Sequence, residues 1–185
     1  MDETIQLLSG GVDSTACIQF FKSEGFKIRP LFIDYGQPAA LKEREACEWV
    51  CDYFNLNLEI IYISSLGSFS SGLIDGRNLF LLSLAIMKSS AKTKYISIGI
   101  HSGTDYLDCS ENFISKFQDT LDSSLNSNIR VLAPFISWRK HQIWQYLKST
   151  NISFQNLVSC EIGTDVPCGQ CPSCLERIFL ESHEK

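Results

Sequence analysis

The sequence predicts an α/β fold: a doubly wound parallel sheet of five strands, followed by a cysteine-rich tail. Three observations carry this. Short apolar runs alternate with stretches of helical periodicity up to about residue 150, the pattern of βα units with parallel pairing and right-handed crossovers. The first apolar run passes straight into a paired-glycine turn and a helix, the strand–turn–helix opening typical of such sheets. A chain of 185 residues, 44% hydrophobic and 20% charged, has the composition of a globular protein long enough to bury a core.

Taken in order, Thr4 to Leu8 reads as the first strand and Ser14 to Phe21 as the first helix. Ile28 to Ile33 is the second strand, ending in Asp34-Tyr35-Gly36-Gln37. A helix follows from Pro38 to Phe54, its proline suited to a first turn. Leu58 to Ile63 is the third strand, and Ser64 to Gly76, rich in serine and glycine, is a loop. Asn78 to Ala91 reads as an apolar, largely buried helix, and Lys94 to Ile100 as the fourth strand. Cys109 to Leu125 has helical periodicity, Asn128 to Leu132 is a short fifth strand, and Trp138 to Ser149 is a further helix. Residues 1–150 are expected to form one domain and residues 151–185 a metal-binding segment packed on it.

The net charge of −5 and the lack of a long basic run give no support for tight binding to a nucleic-acid backbone. No apolar stretch is long enough to span a membrane, and the N-terminus lacks a signal-peptide pattern, so a cytoplasmic location without membrane partners is expected. Eight cysteines in such a compartment point to metal binding, catalysis or burial rather than disulfides. Cys17, Cys47 and Cys51 fall on helices and read as buried small hydrophobes.

The stretch Leu8-Ser9-Gly10-Gly11-Val12-Asp13-Ser14 is the strongest signal. Its geometry aims bare backbone N–H groups and a helix N-terminus at one point, where a phosphate chain can sit. Gly10 and Gly11 allow close backbone approach, and Ser9 and Ser14 add hydroxyls. Asp13 can hold Mg²⁺ against phosphates or cap the helix. The Walker A lysine is missing, and so is the G-x-G-x-x-G of dinucleotide binders. The hexapeptide from Ser9 to Ser14 resembles the pyrophosphate (PP) loop of the ATP pyrophosphatases, which split ATP to AMP and pyrophosphate.

In a parallel sheet the residues just beyond each strand face the ligand. Asp34 can contact a nucleotide and Gln37 an amide or ring edge; the bland alternative is a turn with a capping aspartate. Arg77 and Asn78, in Gly76-Arg77-Asn78, stand at a helix start where an arginine can reach phosphate or simply be solvated. Asp105 and Asp108 share a loop with His101, and a carboxylate suits the edge of a guanine-like ring because it accepts two hydrogen bonds at once. His101 is either a general acid–base group or a structural loop histidine. Cys109 abuts Asp108. Lys140, early in its helix, can neutralise phosphates or lie on the surface.

The tail holds the second strong signal. Cys160, Cys168, Cys171 and Cys174 are spaced C-x7-C-x2-C-x2-C, interleaved with Pro167, Gly169 and Pro172. Such thiolates can close a tetrahedral structural Zn²⁺ site; a redox pair or an iron–sulfur cluster is the alternative. A metal would staple a tail with little apolar surface beyond Phe154, Leu157 and Val158.

Together these residues resemble the 7-cyano-7-deazaguanine synthases, the QueC family. The likeness runs from the Ser9–Ser14 loop through Asp34-Tyr35-Gly36-Gln37, Gly76-Arg77-Asn78, Asp108-Cys109, Pro134 with Lys140, and Ser159-Cys160. It ends in Pro167-Cys168-Gly169-Gln170-Cys171-Pro172-Ser173-Cys174-Leu175-Glu176-Arg177. The resemblance implies a Rossmann-like, adenine nucleotide alpha hydrolase-like fold and an ATP-dependent carbon–nitrogen ligase of queuosine-type pathways. In that chemistry ATP adenylates the carboxylate of 7-carboxy-7-deazaguanine, ammonia displaces AMP to give the amide, and a second ATP drives the amide to the nitrile. It further implies ATP and Mg²⁺ at Leu8, Ser9, Gly10, Gly11, Val12, Asp13, Ser14 and Asp34. Ser9, Asp13, Ser14 and Lys140 would be the catalytic set. The substrate would lie on Gln37, Arg77, Asn78, Asp105, Asp108 and Cys109. Zn²⁺ would sit on the four tail cysteines, in a homodimer.

The sequence departs from the family in its middle. His101-Ser102-Gly103-Thr104-Asp105-Tyr106-Leu107-Asp108-Cys109 is an altered form of the usual Asp-Tyr-Ser-Gly-Tyr-Pro-Asp-Cys-like run, without its proline. Leu73-Ile74-Asp75 replaces a Val-Pro entry, and Glu161 stands where an aromatic is usual. Two alternatives follow: a diverged relative that passes the activated carboxyl to another amine, such as one on a partner protein, or a tRNA-thiolating PP-loop enzyme. The acidic balance argues against the second.

Overall fold

The computed structural model describes residues 2–64, 69, 74–104, 106–125 and 128–183. Five parallel strands, β1 (Glu3–Leu7), β2 (Lys27–Asp34), β3 (Glu59–Tyr62), β4 (Thr93–Ser97) and β5 (Arg130–Leu132), pair in the order β3-β2-β1-β4-β5. The chain winds outward from β1 to β3, crosses back over β1, and winds the other way to β5. The carboxyl ends of β1 and β4 therefore flank a topological switch point, where such sheets open a crevice.

Helices α1 (Val12–Ser23), α2 (Ala40–Phe54) and α5 (Lys140–Lys148) cover one face. Helices α3 (Arg77–Met87) and α4 (Glu111–Ser124) cover the other. Strand side chains alternate between the two cores with period two: Ile28 and Phe32 join α1, α2 and α5, while Ile5, Leu7, Leu31 and Ile33 join α3 and α4. All five β1 residues are buried, as a central strand covered on both faces requires.

Four expectations are corrected. Pro38 precedes α2 rather than opening it; the helix starts at Ala40, with Ala39 as its cap. The fourth strand stops at Ser97, short of Ile100: beyond the Ile98 N–H, which donates to the Leu132 carbonyl, Gly99 packs against the first turn of α1. Helix α3 ends at Met87 and is not largely buried: only Asn78, Leu82 and Ala85 are, while Leu79 and Met87 stand out 50% and 83% exposed. It packs on the sheet along one stripe and has no element outside it among the described residues. The tail, for which no helix is assigned from the sequence, contains helix α6 (Pro172–Ser182). Pro172 occupies its first turn, Cys171 caps it by accepting from the Cys174 N–H, and Leu180 joins the core beside α1 and α5. Most of the Ser64–Gly76 loop, Leu73 included, lies outside the described residues.

Candidate active site and cysteine cluster

The Leu8–Ser14 segment leaves β1 at the switch point. Gly10 has φ +70°, and a Cβ there would lie 2.5 Å from Ala46 Cβ and 3.0 Å from the Cys47 nitrogen and Glu43 oxygen, so only glycine lets the loop lie on α2. Beneath it the buried Cys47 donates its S–H to the Leu8 carbonyl at 3.4 Å. Gly11 is the N-cap of α1, and Asp13 lies in the first helical turn without capping it. Ser14 Oγ accepts from the Ser9 N–H at 3.2 Å, donates to the Gly11 carbonyl at 3.2 Å, and meets Ser9 Oγ at 3.2 Å. From the far side Gly99, just past β4, closes on this turn so tightly that a Cβ would stand 2.8 Å from the Asp13 carbon and Ser14 nitrogen.

Lys140, from the first turn of α5, reaches Asp13 Oδ2 at 2.6 Å across 127 residues of sequence. The partner oxygen, Asp13 Oδ1, is buried without a hydrogen bond among the described residues. A buried carboxylate oxygen without a partner at a loop of N–H donors fits a cation such as Mg²⁺. His101 Nε2 lies 3.9 Å from the same Oδ2, while Nδ1 accepts from the Gly103 N–H at 3.1 Å. Burial holds His101 below its ordinary pKa; the Asp13 charge opposes this and Lys140 adds to it.

Two adjoining spaces open here. One, of about 220 Å³, is walled by Ser9, Gly11 to Ser14, Lys140, Glu161 and Glu176, a polar cleft suited to phosphates. The other, of about 150 Å³, runs under the carboxyl ends of β1, β2 and β4 past Tyr35, Gln37, Asn78 and Ile100. Ser9, Ser14, Glu43, Arg77 and Gly99 line both.

Ser9, Ser14, Gln37, Arg77 and Asn78 are thus brought together, with Asp13 and Lys140 on the side of the polar cleft. Gln37 is fully used within the protein: Oε1 accepts from the Tyr35 N–H (2.9 Å), and Nε2 donates to the Ile33 carbonyl (3.2 Å) and Glu43 Oε2 (2.7 Å). Asn78 bridges two segments, giving its side-chain N–H groups to the Asp108 carbonyl (3.1 Å) and the Cys109 sulfur (3.5 Å). Asp34 makes a local turn with the Gly36 N–H at 3.1 Å and borders neither space. Asp108 accepts from the Asn78 N–H at 3.1 Å, so it caps α3, and it borders an apolar groove between α3 and α4 instead. Cys109 is buried behind Asn78, its thiol pKa raised by burial. Asp105 lies outside the described residues.

Sequence reasoning missed Glu43 and Gly99. Glu43 is one charge in Lys42-Glu43-Arg44-Glu45, a run that reads as a solvated helix face; only its partners reveal it. Burial pushes its carboxyl pKa up, against the Gln37 hydrogen bond and the Arg77 charge. Burial likewise drives the neighbouring Tyr35 to about 12. A glycine closing a predicted strand is the one hint of Gly99.

The tail roofs the cleft. Val158 N–H donates to the Gly10 carbonyl at 3.0 Å. Arg177 ties α6 to the carbonyls of Leu157 (2.9 Å) and Phe154 (2.8 Å). The sulfurs of Cys160, Cys168, Cys171 and Cys174 all lie within 4.8 Å of one another and form a group that could hold a metal ion. Backbone N–H groups point at them: Cys168 N to Cys160 (3.5 Å), Cys171 N to Cys168 (3.3 Å), Cys174 N to Cys171 (3.4 Å). Burial alone would raise the Cys160 pKa, but N–H groups of Cys168, Ile162 and Gly163 bring it down to about 6. Burial pushes the Cys174 thiol up. Glu161, at the departure from the aromatic pattern, accepts from the Ser173 N–H (3.2 Å) and hydroxyl (2.7 Å) and so links the two arms of the cluster.

The family model described as queuosine biosynthesis protein QueC matches residues 3–74 and 66–180. A 7-cyano-7-deazaguanine synthase of Nautilia profundicola is 29% identical over 214 residues, covering 100% of this chain and 95% of its own. One of Aquifex aeolicus is 31% identical over 210 residues, covering 95% and 94%. A solved 4-thiouridine synthetase–RNA complex with bound ATP shares the fold at TM-score 0.53 and 17% identity, over 98% of this chain and 50% of that one.

Proposed function

This chain belongs to the QueC family, and from that premise we propose that it is an ATP-dependent ligase converting 7-carboxy-7-deazaguanine to the nitrile with ammonia. The observation that carries the reading is the Ser9–Ser14 turn with Lys140 on Asp13 at 2.6 Å, facing a polar cleft that shares walls with a second space.

A carboxylate is a poor electrophile because its oxygen is a poor leaving group. Its attack on the α-phosphorus of ATP converts that oxygen into part of AMP, and pyrophosphate departs. The N–H groups of the glycine turn, the α1 N-terminus and Lys140 stabilise the charge that gathers on the departing pyrophosphate. Asp13 orients Lys140, and its free Oδ1 would hold Mg²⁺, which when bound supplies further charge neutralisation. Arg77 and Asn78 border the second space, where the deazaguanine would lie; Asp108 and Cys109 support Asn78 from behind. The two spaces hold both reactants in register, which removes much of the entropic barrier. Ammonia then displaces AMP, and a second activation of the amide oxygen yields the nitrile. The four cysteines would hold a structural Zn²⁺ that keeps the roof in place. The expected setting is the cytoplasm, in a homodimer.

The test is mass spectrometry of products from purified protein, 7-carboxy-7-deazaguanine, Mg-ATP and ammonium, with AMP measured in parallel. Nitrile with two AMP per product is expected. AMP with accumulating amide would instead support transfer to another amine, and no AMP would refute the assignment.

A further inference from the structure

Ammonia use poses a problem the phosphate machinery does not solve: near neutral pH the reagent is almost entirely ammonium, which has no lone pair to attack with. A site for it needs a carboxylate beside the acyl group that can both hold a cation and take a proton. Among the described residues, Glu43 is the one acidic side chain that lines both the phosphate cleft and the second space, so it stands at their junction. The other acidic groups of the cleft belong to its phosphate side. Asp13 is held by Lys140, Glu161 is engaged by Ser173, and Glu176, on α6, lines the phosphate cleft but not the second space. Among the described residues one hydrogen bond reaches the Glu43 carboxylate, from Gln37 Nε2 to Oε2 at 2.7 Å. Gln37 is itself locked by Tyr35 and Ile33, so it fixes the carboxylate rather than neutralising it.

We infer that Glu43 is the residue that holds ammonium and takes a proton from it, delivering ammonia to the acyl adenylate. This rests on the ligase reading given above. The proton passes from NH₄⁺ to the carboxylate, and the freed lone pair attacks the acyl carbon. A C–N bond forms and the acyl C–O bond to phosphate breaks. AMP leaves with that electron pair, and a nitrogen proton passes to its phosphate. The carboxylic acid then returns its proton to solvent. Partial burial suits the task, since it raises the basicity of the carboxylate toward the working pH. The titratable groups facing it are Asp34, Tyr35, Arg77 and Cys47; Arg77 keeps the carboxyl from being driven higher.

The experiment separates the two half-reactions in Glu43→Gln. Carboxylate-dependent exchange of labelled pyrophosphate into ATP reports adenylation, which needs no nitrogen. Amide formation from ammonium reports the second step, and hydroxamate formation from hydroxylamine, already uncharged at pH 7, reports it without a proton to remove. The variant is expected to retain exchange and hydroxamate formation, and to lose amide formation by roughly 10²-fold or more, the usual worth of a general base. Amide formation at the parent rate would overturn the inference. So would an equal fall in hydroxamate, or a loss of exchange, which would assign Glu43 to supporting the loop under Gly10. Glu43→Asp, with the carboxylate kept one methylene back, should recover part of the ammonium-dependent rate; no recovery with exchange intact would also count against the assignment. Absence of exchange in the parent protein would instead refute the ligase reading itself, and the inference with it.

Discussion

Replacing Gly99 by alanine tests whether the glycine turn is held in place from β4. The added methyl would stand 2.8 Å from the Asp13 carbon and Ser14 nitrogen and 2.9 Å from the Asp13 oxygen. Ordinary contact begins near 3.4 Å, so the first turn of α1 must retreat by about 0.6 Å or the end of β4 must peel away. The obstructing atoms are backbone, which no rotamer change relieves, and overpacking of this kind costs about 1–3 kcal/mol. At about 2–4 °C per kcal/mol for a domain of this size, Gly99→Ala should lower the melting temperature by roughly 2–12 °C. The catalytic effect should exceed the stability effect, because the displaced peptide carries Asp13 and Ser14. Shifts of the order of 1 Å at reacting groups cost about 10²-fold in rate. Pyrophosphate exchange and thermal unfolding, measured on the same preparation, give both numbers. Gly25→Ala is the control: its methyl meets nothing within 4 Å, so it should affect stability alone, through its φ of +75°. If Gly99→Ala kept full exchange at an unchanged melting temperature, the packing of Gly99 against the loop would be refuted.

Three further outcomes are expected. Lys140→Met removes the 2.6 Å partner of Asp13 and should lower pyrophosphate exchange by about 10²–10³-fold, with the melting temperature moving little; an unchanged rate would place the lysine outside the chemistry. Metal analysis should find one zinc per chain, and stripping it should first release hydrogen-exchange protection across 160–182, leaving the β1 and β2 amides protected; uniform loss or no loss would contradict a staple confined to the tail. Glu3, buried at the amino edge of the sheet, has its carboxyl pKa held low by the Lys27 hydrogen bond and then by Arg29 and Thr93. A depressed acid stabilises the fold above its ordinary value of 4.5 and loses that contribution as the pH falls through its folded value. Glu3→Gln should therefore cost about 1–3 kcal/mol at pH 7 and flatten the acid limb of a denaturation series. An acid limb identical to the parent's would refute it.

The sequence alone determined the strand–helix alternation, the glycine turn after β1, and the four-cysteine spacing, because each is written in local chemistry. Period-two and helical apolar patterns need only neighbours, glycine needs only its own φ, and C-x2-C needs only a short loop. The buried helix faces of Cys47 and Cys51 were legible for the same reason. The strand order and the far-side partners were decided by tertiary structure. Lys140 meets Asp13 across 127 residues, and Gly99 packs on Asp13 from just past a strand that sequence places long after it. Asp34 and Asp108 have the composition of ligand-reading residues, yet both spend their carboxylates on backbone N–H groups, a choice set by which N–H lies within 3.1 Å. Glu43, conversely, carries the signature of a solvated helix charge and is drawn into the site by Gln37 and Arg77. A side chain's chemistry is local, but its desolvation and its partners depend on where the chain returns, and that is settled only when both cores close on the sheet.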